Sequence, residues 1–253
     1  MIGELTPDRP SFHESFVILV GKAPLQKHFT LHNDLFLPRS EFFRAARSAA
    51  WREDSQEPTT LDDDDDDPEV FSNYLRCVYL GDMAPLSDDD ISKDEAAVEH
   101  FNSLAKLWVL ADKLGDLQAA NLVVDEFISY SDETRLIPPA HTMTMVYEST
   151  VGKSPLRALL RDLSIYDGDK SIFEAVPSEP LSGFYQDVAR ELMTIKERLW
   201  SREVTVAVAF GGDHFKKVGR CFYHQHDKHH PEMACVSKRT PSQSTPVGLG
   251  HIT

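Results

Sequence analysis

With 253 residues, 41% of them hydrophobic, the chain is long enough for one large domain or one domain with an extension. Its formal net charge of -15 at pH 7 opposes a phosphate backbone, so we expect no nucleic-acid partner. The three cysteines form no disulfide framework, and the sequence predicts neither a secretory leader nor a membrane-spanning run. We therefore expect an intracellular protein of the cytoplasm or nucleus that has no membrane partner.

A short β-type pattern opens the first half of the chain. Residues 15–20 are rich in β-branched and aromatic side chains, are apolar on both faces and predict a central strand that ends at Gly21. A loop leads to a returning strand over residues 28–31, and residues 58–61 predict a third, short strand. Three short strands cannot form a self-sufficient sheet, so helices must supply the core against them.

Two short helices are predicted after the second strand. Pro38 stops the first of them within a few residues, and Ser40 is a favoured N-cap for the second. Phe42 and Phe43 give the second helix a buried face. This segment is therefore predicted to anchor the core next to the sheet.

Six consecutive aspartates at 62–67 lie just before Pro68. A divalent-metal site is one interpretation, but consecutive carboxylates cannot all converge on one ion without distant partners. A solvated loop that leads into a helix N-terminus is favoured, because proline suits the first helical position and acids suit the first turn. The helix that begins there is predicted to end at Gly81.

Helical patterns dominate the second half of the chain. The most regular of them ends at Gly115, and a second helix follows directly over residues 117–128. A polar stretch with two prolines at 129–139 predicts a domain boundary, after which three more helices follow. Residues 204–210 are either a strand or the end of the last helix, and residues 211–253 predict a His-rich polar tail that is largely disordered.

These elements predict an α+β fold, and several of their motifs resemble a BTB/POZ domain. The motifs, in the order of the family, are His-x-x-Leu at 32–35, Arg-Ser-x-Phe-Phe at 39–43, Asp-Pro-Glu-x-Phe at 67–71 and Ala-Asp-Lys-Leu-Gly at 111–115. The resemblance covers residues 12–130 and implies a small three-stranded sheet flanked by a helical cluster. An all-α extension at 138–210 and the tail at 211–253 complete an arrangement similar to the BTB proteins of filamentous fungi.

The resemblance implies a protein-interaction module rather than an enzyme. Members of the family often form homodimers, and some act as adaptors that bring substrates to a cullin-based ubiquitin ligase. We therefore expect a protein partner, either a second copy of the chain or a cullin, with no cofactor and no small-molecule substrate. The adaptor alternative depends on the loop after residue 80, where Leu86 and Asp88 imitate a family pattern of a hydrophobic residue followed two later by an acid.

The predicted contact region is this acidic loop together with the adjoining helix. Met83, Leu86 and Asp88 lie in the loop, and Tyr74 lies on the helix before it. Apolar anchors that are ringed by acids select a partner surface that is neutral or basic.

Two further groups of residues suggest chemistry, but a structural role is favoured for each. His32 and Asp34 could form a catalytic pair, yet no nucleophile with an orienting residue accompanies them, and a His that satisfies backbone groups at a strand end is favoured. An aromatic set could line a ligand pocket, but its helical spacing favours core packing. That set is Phe71, Tyr74, Phe101 and Trp108.

The tail contains residue types that bind zinc. Cys221, His224, His226 and Cys235 could form a tetrahedral Cys₂His₂ site. The Cys-x2-His-x-His spacing is uncommon in zinc fingers, and the segment has few apolar residues to fold over a metal. A polar capping segment without metal is therefore favoured, and the zinc site stays open as the alternative.

Overall fold

The computed structural model describes residues 12–48, 58–81, 83, 94–170, 181–210 and 214–226. In this part of the chain a small three-stranded sheet packs against helices, which confirms the predicted α+β class. The predicted site residues Leu86, Asp88 and Cys235 lie outside the described residues.

The sheet has its first strand in the centre, as the sequence predicts. β1 (Ser15–Val20) pairs antiparallel with β2 (Lys27–His32) and parallel with β3 (Thr59–Leu61). Ile18 is fully buried against the helices, whereas Val17 on the opposite face is 42% exposed. The strand is therefore central in the sheet but buried on one face only. Its apolar residues on the other face do not indicate that both faces are buried.

Helices supply most of the core. They are α1 (Asn33–Phe36), α2 (Glu41–Arg47), α3 (Pro68–Leu80), α4 (Asp94–Leu114), α5 (Leu117–Thr134), α6 (Ala140–Ser149), α7 (Pro155–Tyr166), α8 (Ser182–Trp200), α9 (Val206–Ala209) and α10 (His214–Val218). A 3₁₀-helix (Arg220–Tyr223) follows α10. The segment 204–210, which the sequence leaves open between strand and helix, contains the short helix α9.

Local sequence signals account for several helix ends. Ser40 caps α2, with its Oγ accepting a hydrogen bond from the Phe43 N–H at 3.1 Å. Gly81 and Gly115 follow α3 and α4 with φ angles of 74° and 64°. At Gly115 an added Cβ would also lie 3.1 Å from the Cβ of Glu41, so both the turn and the packing require glycine.

The aspartate run at 62–67 leads into the N-terminus of α3. Asp67 caps this helix by accepting a hydrogen bond from the Glu69 N–H at 2.8 Å, which confirms the predicted helix start. Asp66 is buried and accepts a hydrogen bond from the Lys113 ammonium group at 2.7 Å. The solvated-loop prediction is therefore wrong for Asp66, because a lysine on α4 compensates its charge.

The predicted polar linker at 129–139 is wrong over its first half. α5 continues through these residues, and Tyr130 and Ser131 are buried in its last turns. Thr142 of α6 donates a buried hydrogen bond to Asn102 of α4 at 2.6 Å. Buried side chains before and after this point form one continuous core, so the helical extension packs directly on the first region.

The tail predicted to be largely disordered at 211–253 is structured over residues 214–226. Tyr223 is fully buried there. The Asn121 side chain of α5 also bonds twice with the backbone of Gln225, at 2.9 and 2.7 Å. The sequence does not predict this packing, because a single buried tyrosine in a polar segment produces no periodic hydrophobic pattern. The rest of the tail lies outside the described residues.

Candidate interaction surface

Tyr74, which the sequence predicts as a contact residue, is fully buried. Its hydroxyl donates a hydrogen bond to Asp116 Oδ2 at 2.9 Å. Burial, together with the negative charge of Asp116, raises the pKa of Tyr74 well above its ordinary value. A partner cannot reach this side chain, so the predicted contact role of Tyr74 is wrong. The alternative prediction of core packing is confirmed by the burial of Phe71, Tyr74, Phe101 and Trp108.

Asp116 holds the helices around Tyr74 in place. Its carboxylate is fully buried and accepts hydrogen bonds from Arg39 at 3.0 and 3.3 Å. It also caps α5 by accepting from the Ala119 N–H at 3.0 Å. One carboxylate therefore ties together α3, the turn before α2 and the start of α5.

An exposed apolar surface lies beyond Tyr74, at the end of α3. Tyr79 and Leu80 are 44% and 61% exposed, and Phe12 before β1 is 49% exposed. His32 links Phe12 with Tyr79, because its ring contacts Phe12 at 5.1 Å between centroids and its Nδ1 lies 2.8 Å from the Tyr79 hydroxyl. Leu80 directly follows Tyr79 as the last residue of α3. We call these four residues, Phe12, His32, Tyr79 and Leu80, the Phe12–Leu80 surface.

Acidic side chains border the Phe12–Leu80 surface. Glu14 and Asp34 are exposed close to His32 in the chain and in the β1–β2 register. Asn33 donates a hydrogen bond from its side chain to Glu14 at 3.1 Å, which orders this border. An apolar centre with an acidic border is complementary to a neutral or basic protein surface.

The structure describes two of the four predicted contact residues, Tyr74 and Met83. Met83 is half-buried against the core near the end of α3. Leu86 and Asp88 lie outside the described residues. Sequence reasoning missed Tyr79 as a surface residue, because its helical spacing groups it with the apolar stripe of α3. Successive residues of a helix are rotated by about 100°, so the residue directly after the buried Val78 lies at the edge of the buried stripe. This rotation is the signal that could have identified Tyr79 as a surface residue.

His32 contacts two aromatic side chains of the Phe12–Leu80 surface, Phe12 and Tyr79. Sequence reasoning predicts that its imidazole satisfies backbone groups at the strand end, but the structure pairs its Nδ1 with the Tyr79 phenol instead. The ring lies between Phe12 and Tyr79, with edge-on contacts at 5.1 and 6.0 Å. His32 therefore orders the exposed aromatic side chains next to it.

Three of the four candidate zinc ligands of the tail lie in the described part of the chain, and Cys235 lies outside it. Cys221 Sγ and His226 Nε2 lie 3.1 Å apart. The fully buried His224 side chain instead pairs with Asp125 at 3.0 Å. Within the described ranges, no group of three or more His, Cys, Asp or Glu side chains is arranged to hold a metal ion.

A buried polar network attaches the tail to α7, and sequence reasoning missed it. Tyr223 donates a hydrogen bond to Asp162 at 2.7 Å, and Arg161 pairs with the same carboxylate at 2.6 Å. Burial alone would raise the pKa of Asp162, but hydrogen bonds from His214, Arg161 and Tyr223 outweigh it and lower the pKa. Burial and the Asp162 charge raise the pKa of Tyr223.

No family model, no curated protein and no solved structure matches the chain. Among the helices that the structure describes, none combines the length and the apolarity needed to cross a bilayer.

Proposed function

We propose that the chain is a protein-interaction module with a BTB/POZ-like fold, which binds its partner through the Phe12–Leu80 surface. The observation that carries this proposal is the group of exposed aromatic and aliphatic side chains at the end of α3. The order of motifs within residues 12–130 and the position of β1 in the centre of the sheet support the fold assignment. In this proposal the chain acts by binding and not by catalysis.

The chemistry of the surface explains how it would bind. Full burial of one large apolar side chain such as Leu80 contributes about 1.5–3 kcal/mol. Tyr79 is already held by His32 and by a ring contact with Phe36 at 5.6 Å, so little rotational freedom is lost on binding. Tyrosine anchors of this kind are enriched among residues that dominate binding energy.

The charge of the chain favours a different protein over a second copy. A symmetric dimer would bring the same acidic border, with Glu14 and Asp34, against itself. Like charges across an interface oppose association, and each copy carries a net charge of -15. We therefore expect a partner whose contact surface is neutral or basic.

Affinity purification with the full chain tests this proposal. We expect Leu80→Arg to lose the partner that the wild type recovers. Leu25→Arg is the matched control, because Leu25 is 75% exposed in the loop between β1 and β2. Calorimetry with the recovered partner should show at least about a tenfold weaker Kd for Leu80→Arg only. Equal binding by both variants would remove the Phe12–Leu80 surface from the proposal.

Two outcomes of the same experiment identify other partner classes. A dimeric mass of the full chain in light scattering, reduced to the monomer by Leu80→Arg, identifies self-association. Recovery of a cullin that Leu86→Arg abolishes identifies a ubiquitin-ligase adaptor.

A further inference from the structure

A cavity of about 330 Å³ lies beside the turn between α6 and α7. Cationic side chains dominate its wall, although the chain as a whole carries a net charge of -15. The charged residues of this wall are Lys153, Arg157, Arg161, Arg190 and Asp187. A local excess of positive charge in an acidic protein attracts an anionic ligand.

Ser154, at the start of α7, is a buried polar residue that lines this cavity. It is 8% exposed, and among the described residues its hydroxyl has no hydrogen-bond partner. It is the N-cap of α7 but makes no side-chain hydrogen bond to the helix. The N–H groups of the first turn therefore lack a side-chain cap, starting at Leu156 because Pro155 has no N–H. A ligand that accepts hydrogen bonds at the helix N-terminus would satisfy these N–H groups, and it would satisfy the buried hydroxyl as well once the Ser154 side chain rotates toward the cavity.

Arg157 is held in a fixed position on the same wall. Its guanidinium donates to the Tyr147 carbonyl oxygen at 2.5 Å and to the Thr150 hydroxyl at 2.8 Å. It also lies over the Tyr147 ring, 4.4 Å from the centroid. These partners are uncharged, so they orient the guanidinium without neutralising it, and a ligand gains a preorganised charge.

The other cations of the wall differ in how far they are neutralised. Arg161 pairs with Asp162 at 2.6 Å and with Glu191 at 3.6 Å. Arg190 pairs with Asp187 at 2.9 Å. Lys153 directly precedes Ser154 and forms no ion pair with any residue that the structure describes. The uncompensated positive charge therefore lies at Lys153 and Arg157, on either side of the helix start.

We propose that this cavity binds the phosphoryl group of a phosphate monoester at the N-terminus of α7. The phosphoryl oxygens accept hydrogen bonds from the Ser154 hydroxyl and the first-turn N–H groups, and Lys153 and Arg157 balance the charge. A dianion with three acceptor oxygens matches two cations and several neutral donors better than a carboxylate does. A phosphorylated metabolite and a phosphorylated serine or threonine of a peptide present the same group. This site uses other elements than the Phe12–Leu80 surface, so either proposal can fail alone.

Isothermal titration of the full chain with inorganic phosphate, at constant ionic strength, tests this site. We expect binding by the wild type, and a Kd at least about tenfold weaker for Lys153→Gln. Lys217→Gln is the matched control, because it removes the same charge at an exposed position of α10. Its Kd should equal that of the wild type. No heat from phosphate beyond that from sodium chloride, or equal weakening by both variants, overturns the proposal.

Ser154→Asp separates a ligand-binding role from a structural one. Aspartate both caps the helix and places a negative charge at its N-terminus, so the variant should melt higher than the wild type in buffer without phosphate. Added phosphate should raise the melting temperature of the wild type and leave that of Ser154→Asp unchanged. An equal rise in both proteins overturns the proposal, because the anion then binds elsewhere.

Competition experiments identify the source of the phosphoryl group. Glucose 6-phosphate represents a metabolite, and a capped peptide with one phosphoserine represents a modified protein. We expect at least one of them to displace inorganic phosphate, and the tighter competitor indicates the source. Displacement by neither overturns the proposal of a phosphate monoester.

Discussion

At the residue scale, the charge of Asp116 holds together two helices, α3 and α5, and the turn before α2. Its buried carboxylate faces Arg39, whose side chain is 12% exposed. Asp116→Asn keeps the shape of the side chain but leaves the Arg39 charge without its partner. Breaking a buried ion pair in this way costs about 3–5 kcal/mol, so we expect urea unfolding to show a free energy of unfolding lower by about 3 kcal/mol.

Asp132→Asn is the control for this prediction. Asp132 pairs with Arg135, and their side chains are 60% and 80% exposed. Exposed pairs contribute little to stability, so no measurable change is expected. A loss for Asp116→Asn that is as small as the loss for Asp132→Asn would mean that Asp116 acts through its shape and not through its charge.

Tyr74 shows how far a local pattern predicts a single residue. Its spacing from Phe71 predicts the buried face of α3, and the structure confirms the burial. The partner of its hydroxyl, Asp116, is 42 positions away in the chain. Helical periodicity contains no information about such a distant contact, so it also could not show that Tyr74 is unavailable to a partner.

At the element scale, the tail segment 214–226 is part of the core. Tyr223 is fully buried, and its hydroxyl reaches Asp162 of α7. Truncation of a buried aromatic residue typically costs about 3–5 kcal/mol, so Tyr223→Ala should lower the free energy of urea unfolding by about 3 kcal/mol. The neighbouring Phe222 is 62% exposed, and Phe222→Ala should stay within about 0.5 kcal/mol of the wild type. If Tyr223→Ala unfolds like Phe222→Ala, the tail does not contribute to the core.

The elements that the sequence predicts well are those that local chemistry determines. The start of α3 follows from Asp67 and Pro68, and the turn between α4 and α5 follows from Gly115. The end of α5 does not follow from local chemistry, because a polar stretch there favours a linker. Tyr130 is instead buried by α4, whose Phe101 ring lies 5.0 Å away. Tertiary contact thus overrides the local preference at that point.

At the scale of the whole molecule, the core is continuous from the sheet to the tail. The predicted boundary between residues 12–130 and 138–210 falls where α4 packs on α6, and the tail bonds to both α5 and α7. Regions that share one core lose their contacts together, so we expect one calorimetric transition with equal calorimetric and van't Hoff enthalpies. Tyr223→Ala should move this transition to lower temperature without dividing it, because the side chain belongs to the same cluster. Two separate transitions in the wild type would mean that the extension folds as an independent domain.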